Sequence, residues 1–268
     1  MSAPSPALDA SARAARLIER GYVHVRRTHD RRDVAWETAR AVFAAAAPYD
    51  AIGSDMPRLA VVGEFAVPPP GAPHRAFQAL HIDFGLPIES RAADVARFTA
   101  LYIDRDRPPT SARTRLVLLR RLLRRRAWPD RPTLHARLRD YGRRQGGDGE
   151  YVEGILARLV EAADESPSLP SSGSDGFLCG MEFGSRADER AHLLARGLEL
   201  DGVEEHVRLA PGELLLFDNL ATAHGRLGLR APRELQQLCV GYAGLGARDQ
   251  GALLPRVLDA FSPHEPAG

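Results

Sequence analysis

One group of side chains in this chain has the types and spacing for metal chemistry. His81 and Asp83 lie in Phe77–Pro87 (FQALHIDFGLP), and His224 lies in Asn219–Arg226 (NLATAHGR). Side chains of a β-strand project to one face with period 2, so His81 and Asp83 leave the same face at neighbouring levels. An imidazole and a carboxylate can then reach a single ion. If a second strand carries His224 to that point, two histidines and one carboxylate cover one face of an octahedral metal. Three positions stay open, which is the donor set of non-haem Fe(II) sites that activate oxygen. An H-x-D triplet alone occurs by chance in many chains, so its surroundings must carry the reading. Phe77, Ala79 and Leu80 precede it as an apolar run, and Phe84-Gly85-Leu86-Pro87 follow as a turn. Leu214–Asn219 (LLLFDN) is likewise a short apolar strand closed by turn formers, and it delivers His224 a few residues later.

Several elements could position these residues. Ser11–Arg20 has apolar residues at helical spacing and stops at Gly21, after which Tyr22–Val25 alternates as a strand. Asp33–Ala47 predicts a second amphipathic helix, with Val34, Trp36, Ala39, Val42 and Phe43 on one side. The Pro/Gly cluster Pro68–Pro73, with His74 beside it, breaks the chain before the H-x-D strand and is a candidate rim of the site. Arg97–Asp104 reads as a strand. Ser111–Arg126 predicts a helix, because Leu116, Leu119, Leu122 and Leu123 recur against Arg113, Arg120, Arg121, Arg124 and Arg125. Phe177–Phe183, Glu199–Leu209, Gly212–Phe217 and Glu234–Tyr242 read as further strands. Between the two sets, polar helical material and the low-complexity run Ser166–Gly176 make Ala127–Gly176 an insertion or lid. Helices first, short strands after and one long interruption predict a mainly β protein with flanking helices and a double-stranded β-helix (jelly-roll) core. It forms a single domain over residues 1–268.

Composition narrows the partners. With 44% hydrophobic and 26% charged residues the chain can bury a full core, and a formal net charge of +1 argues against general attraction to nucleic acid or membrane. All 36 basic residues are Arg, a trait of coding bias and not of chemistry. Stacking aromatics do not interleave with the arginines of 113–126, so that stretch reads as a solvated helix face; nucleic-acid binding through it is the remoter alternative. Cys179 and Cys239 each stand alone in an apolar run, which predicts reduced, buried thiols and a cytoplasmic protein. The first residues lack the apolar core of a signal peptide, and no window is long enough to span a bilayer, so no membrane association is expected.

Three segments together resemble the taurine dioxygenase / clavaminate synthase-like group of Fe(II)- and 2-oxoglutarate-dependent oxygenases: HIDFG at His81–Gly85, FDNLATAHGR at Phe217–Arg226 and PRELQQL at Pro232–Leu238. D-N-x4-H-G-R is the most specific of them. The resemblance covers most of the chain from about Arg75 onward and implies that His81, Asp83 and His224 ligate iron. It further implies that an Arg beyond the second His binds the distal carboxylate of 2-oxoglutarate. Arg233 fits the R-x-L-Q pattern, with Arg230 as the other candidate. A planar guanidinium recognises a carboxylate bidentately, which an ammonium cannot do. Thr114, or Thr110 in its place, would add a hydroxyl to the same carboxylate.

In that family 2-oxoglutarate and O2 are consumed together at the iron, and hydrogen is taken from a C–H bond held nearby. The protein positions the reactants and excludes water. Asp83 stands where halogenating members have Gly or Ala, which implies hydroxylation, with desaturation or oxidative ring closure such as cyclopropanation as the alternative. Sulfonate-binding members carry a second Arg four residues past the first; here that position is Gln237, a poor sulfonate partner. Arg226 and Arg230 remain as candidate carboxylate partners and Glu182 as a candidate ammonium partner. The expected substrate is a small, amino-acid-like metabolite of natural-product biosynthesis. A barrel that binds 2-oxoglutarate without turnover is a further alternative.

Overall fold

The computed structural model describes residues 6–26, 29–47, 59–67, 76–81, 93–107, 111–123, 183, 185–195, 198–228 and 235–245. The proposed lid at 127–176 and Cys179 lie outside them. Helix α1 (Pro6–Arg20) is followed by strand β1 (Tyr22–Val25), helix α2 (Arg32–Ala46), and strands β2 (Ala60–Val67), β3 (Phe77–His81), β4 (Ala93–Tyr102) and β5 (Arg113–Leu118). A short helix α3 (Leu119–Leu123) and helix α4 (Arg186–Leu194) precede strands β6 (Glu204–Val207), β7 (Leu214–Asp218), β8 (Thr222–Leu227) and β9 (Leu235–Leu245).

The strands form two antiparallel sheets, ordered β1-β7-β4-β9-β2 and β3-β8-β5-β6. From β3 onward the chain repeatedly crosses between the sheets: β3 to β4, β4 to β5, β6 to β7, β7 to β8 and β8 to β9. Such crossing makes two sheets face each other as a jelly roll instead of lying side by side. Leu101, Leu215, Phe217 and Leu235 of the larger sheet and Leu116 and Val207 of the smaller meet in one buried cluster between them. Burying the apolar faces of both sheets is the driving force for that closure.

Helices α1 and α2 cover the other face of the larger sheet. Leu17, Trp36, Ala39, Val42 and Phe43 pack there on Val23, Phe98, Ala100, Tyr102, Leu216 and Leu238. The Phe43 and Phe98 rings stack at 4.9 Å, and Trp36 meets Tyr102 edge-on at 5.9 Å. Gly21 ends α1 at φ +77°, and its amide donates to Leu17 O at 2.8 Å. A Cβ at Gly21 would also collide with the Thr222 hydroxyl.

The expected helices at the N-terminus and the strands at Tyr22–Val25, Arg97–Asp104, Gly212–Phe217 and Glu234–Tyr242 correspond to α1, α2, β1, β4, β7 and β9 within a few residues. The helix expected over Ser111–Arg126 is corrected: residues 113–118 are a strand, and only Leu119–Leu123 are helical among the described residues. Thr114, Leu116 and Leu118 face one way at period 2, while Arg115 and Val117 face the other. The leucines satisfied a helical template only because three- and four-residue steps also occur across a strand–helix junction. Among the described residues no single helical Arg face results. Arg115 is fully buried in the strand, Arg121 pairs with Glu205, and Arg120 donates to Glu19 O. Glu199–Leu209 is strand only at Glu204–Val207, and β2 and α4 had no counterpart among the expected elements. No helix among the described residues is long and apolar enough to cross a membrane.

Candidate metal site on the smaller sheet

The turn that delivers His224 is built by the D-N pair. Asp218 Oδ1 accepts from the amides of Leu220 and Ala221 at 3.1 and 3.2 Å and from Arg97 Nη1 at 2.9 Å. Asn219 Nδ2 donates to Ala96 O at 2.8 Å, and Thr222 Oγ1 donates to Gly21 O at 3.0 Å. Short polar side chains thus satisfy the backbone of a buried turn, the physical content of the D-N-x4-H motif.

β8 then pairs antiparallel with β3, and His224 stands directly opposite His81. The two imidazole centroids are 4.2 Å apart. Phe217, from the facing sheet, closes the other side of His224 at 4.7 Å between ring centroids. His224 is buried and His81 half-buried. His81 Nδ1 lies 2.9 Å from Ala79 O, and a carbonyl only accepts, so Nδ1 carries a proton; in the neutral ring the lone pair is then on Nε2. An imidazole held in this tautomer by a backbone carbonyl is the usual form of a metal-ligating histidine. Gln78 Nε2 sits 3.4 Å from that Nε2, on the exposed side. Two imidazoles placed in this way could serve as two ligands of a divalent transition ion. Among the described residues no three His, Cys, Asp or Glu side chains cluster around one point. Asp83, two residues beyond the end of β3, lies outside the described residues, as do Arg233, Arg230, Thr110, Glu182 and His74.

A β-bulge makes the opposition possible. Gln78 pairs with Arg226 and His81 with His224, three steps on β3 against two on β8. In an unbroken strand Gln78 and His81 would point to opposite faces; the extra residue brings both to the inner one. Gly225 is the residue opposite the bulge, and a Cβ there would lie 2.6 Å from Gln78 O and 3.0 Å from Ala79 O. The Gly of H-G-R therefore answers a close backbone approach.

One row along, Arg226 stands between Gln78 and Thr114 in register, on the same face as His224. Thr114 and Arg226 are both buried, so Arg226 is not the surface residue that an Arg after a strand suggests by default. Gln237 of β9 is opposite Leu101 and on the same face as Leu235, within the space between the sheets. Its Nε2 donates to Cys239 Sγ at 3.4 Å, and Cys239 is a buried thiol outside any disulfide, as expected. His81, His224, Thr114, Arg226 and Gln237 thus all face the interior between the two sheets.

The outer face of the smaller sheet holds a charged cluster with no counterpart among the expected site residues. Arg115 pairs with Glu189 of α4 and Glu204 of β6, and Glu204 also meets Arg186 and His206. Side-chain exposures of 0% for Arg115, 2% for Glu189 and 4% for Glu204 make this an ion cluster out of water. The sequence signal for α4 was the capping box Ser185-x-x-Asp188, in which Ser185 accepts from the Asp188 amide. Burial pushes the Glu204 carboxyl up, but hydrogen bonds and charge from Arg115, with Arg186 and His206, outweigh it and hold the group below its ordinary 4.5. A carboxyl depressed in the folded state contributes stability above its unfolded value, and that stability is lost as pH falls through the folded one. Urea midpoints measured from about pH 6 to about pH 3 are therefore expected to fall more steeply in the wild type than in Glu204→Gln. Parallel profiles would contradict the assignment.

No protein-family model matches the sequence, and no curated protein matches it. Among solved structures the chain is similar to a taurine dioxygenase from Burkholderia xenovorans, at 16% identity and a TM-score of 0.43 over 94% of this chain and 91% of that one. It is similar to AAD-2 in complex with Mn(II) and N-oxalylglycine, at 13% identity and a TM-score of 0.44 over 92% and 95% of the two chains. PvcB from Pseudomonas aeruginosa is similar at 15% identity and a TM-score of 0.39, over 86% of this chain and 79% of that one.

Proposed function

We propose that this chain is an Fe(II)- and 2-oxoglutarate-dependent oxygenase acting on an unactivated C–H bond of a small, amino-acid-like metabolite, with hydroxylation as the outcome. The direct opposition of His81 and His224 across β3 and β8, with His81 Nδ1 held by Ala79 O, is the observation that carries the reading. Asp83 follows His81 by two residues and would be the third ligand, completing the facial set. Iron in that set, when bound with 2-oxoglutarate, supplies oxidation by O2 coupled to loss of CO2 and formation of succinate.

The rest of the work is positioning. Arg233, with Arg230 as the other candidate, would hold the distal carboxylate of 2-oxoglutarate. Thr114, one row from His224 and facing inward, would donate its hydroxyl to it; Thr110 is its competitor. Arg226, buried on that face, is suited to an anionic group inside the barrel, where desolvation strengthens a charge-assisted bond. Gln237 offers a neutral amide, which suits an uncharged or amino-acid-like group better than a sulfonate. Glu182 is the proposed ammonium partner. Phe217 and the inter-sheet leucines exclude water from the His224 side.

Purified protein given Fe(II), ascorbate, 2-oxoglutarate and a panel of amino acids is expected to release succinate, read by mass spectrometry. Asp83→Ala is expected to abolish release while leaving the circular dichroism spectrum intact. Product mass separates the outcomes: one added oxygen means hydroxylation, and loss of two hydrogens means desaturation or ring closure. Binding of 2-oxoglutarate without succinate from any substrate would instead favour a sensor.

A further inference from the structure

We propose that Glu189 and Arg115 are positioning residues that aim the His81 imidazole through the backbone of the β3 bulge, an inference that rests on the iron site proposed above. The bulge between Gln78 and His81 takes backbone groups out of the ladder with β8. Ala79 O and Leu80 N, inside the bulge, each find a specific partner, and so does Gln78 O at its edge. Gln78 O accepts from Arg115 Nη1 at 3.4 Å, Ala79 O accepts from His81 Nδ1 at 2.9 Å, and Leu80 N donates to Glu189 Oε1 at 2.6 Å. Arg115 Nη2 in turn donates to Glu189 Oε2 at 2.5 Å. One buried ion pair on the outer face therefore grips the peptide group that carries the Ala79 carbonyl, through Leu80 N, and the peptide group before it, through Gln78 O; that carbonyl sets the His81 tautomer and ring direction.

A buried ion pair is a poor device for stability, since well-packed apolar side chains of similar volume often do as well. What an apolar side chain cannot do is accept the Leu80 N–H. Without an acceptor that buried amide would turn to find one, and the Ala79 carbonyl beside it would turn with it. The imidazole would then lose its fixed Nδ1–H bond and its aim at the ion. Outer partners of metal-bound histidines act in this way when they touch the ring directly; here the action passes through one peptide group. Glu189 lies on α4, so that helix is coupled to the metal through this bond.

Cobalt(II) serves as a probe, read by its visible spectrum and by titration, with no turnover needed. Glu189→Gln keeps an oxygen for Leu80 N and is expected to keep the wild-type Kd. The double variant Arg115→Met/Glu189→Leu replaces the pair by matched apolar volume. It is expected to melt near the wild-type temperature yet bind cobalt about 10- to 100-fold more weakly, with an altered spectrum. Wild-type affinity and spectrum in a folded double variant would overturn the inference. In the wild type, the Leu80 amide should exchange slowly with deuterium, and more slowly with cobalt bound. Exchange at the rate of an open amide would overturn it too, whether or not the variants fold. Failure of the wild type itself to bind cobalt would instead remove the metal reading beneath it.

Discussion

Replacing His224 by alanine is expected to weaken divalent-metal binding by more than the 10- to 100-fold that loss of an outer partner alone costs, about two orders of magnitude or beyond. The residue is buried between His81 and Phe217, on the inner face of β8. No neighbouring side chain on that strand can substitute: Ala223 and Gly225 flank it, and Thr222 is committed to Gly21 O. The proposed set would fall to one histidine and one carboxylate, and succinate release should disappear with it. Isothermal titration with Mn(II) or Co(II), beside a thermal melt, checks both parts. A folded variant that binds metal as the wild type does would remove His224 from the site.

Arg115→Leu is expected to be among the most destabilising single substitutions in the described part of the chain, at about 3–5 kcal/mol. The guanidinium has no exposed surface, and its removal leaves the buried Glu189 carboxylate facing, among the described residues, the Leu80 amide alone. Glu204 keeps Arg186 and His206, so the cost falls chiefly on Glu189. Loss of the ring contact with Phe77, whose centroid lies 5.2 Å from the guanidinium carbon, adds to it. For a domain of this size each kcal/mol lowers Tm by about 2–4 °C, so a drop on the order of 10 °C is the expected reading. A change within about 1 kcal/mol would mean that the cluster is far more hydrated than its burial indicates. Arg115→Leu paired with Glu189→Leu should recover much of the loss, because the uncompensated charge is then gone.

Local pattern was enough for much of this molecule. Gly21 after an amphipathic run marks the end of α1, alternation marks β1, and apolar runs closed by Asp-Asn or preceded by Pro mark β7 and β9. Arg115 is hidden because the leucines from Leu116 onward also fit a helical period, and because a charged side chain in a strand is by default a solvated one. Only the arrival of Glu189 and Glu204 from distant segments makes its burial affordable. Helix α4 had a legible capping box at Ser185, but nothing local tells that its Glu189 turns toward a sheet and not toward water.

The sequence by itself determined the types of donor atom, the H-x-D and D-N-x4-H-G-R spacings, and the two-face patterning that makes jelly-roll strands. The tertiary structure decided that His224 faces His81, that a bulge puts Gln78 and His81 on one face, and that an ion pair behind the sheet holds that bulge. The reason is physical. Strand periodicity is a property of neighbouring residues, whereas register, bulges and the neutralisation of buried charge exist only between segments that folding brings together.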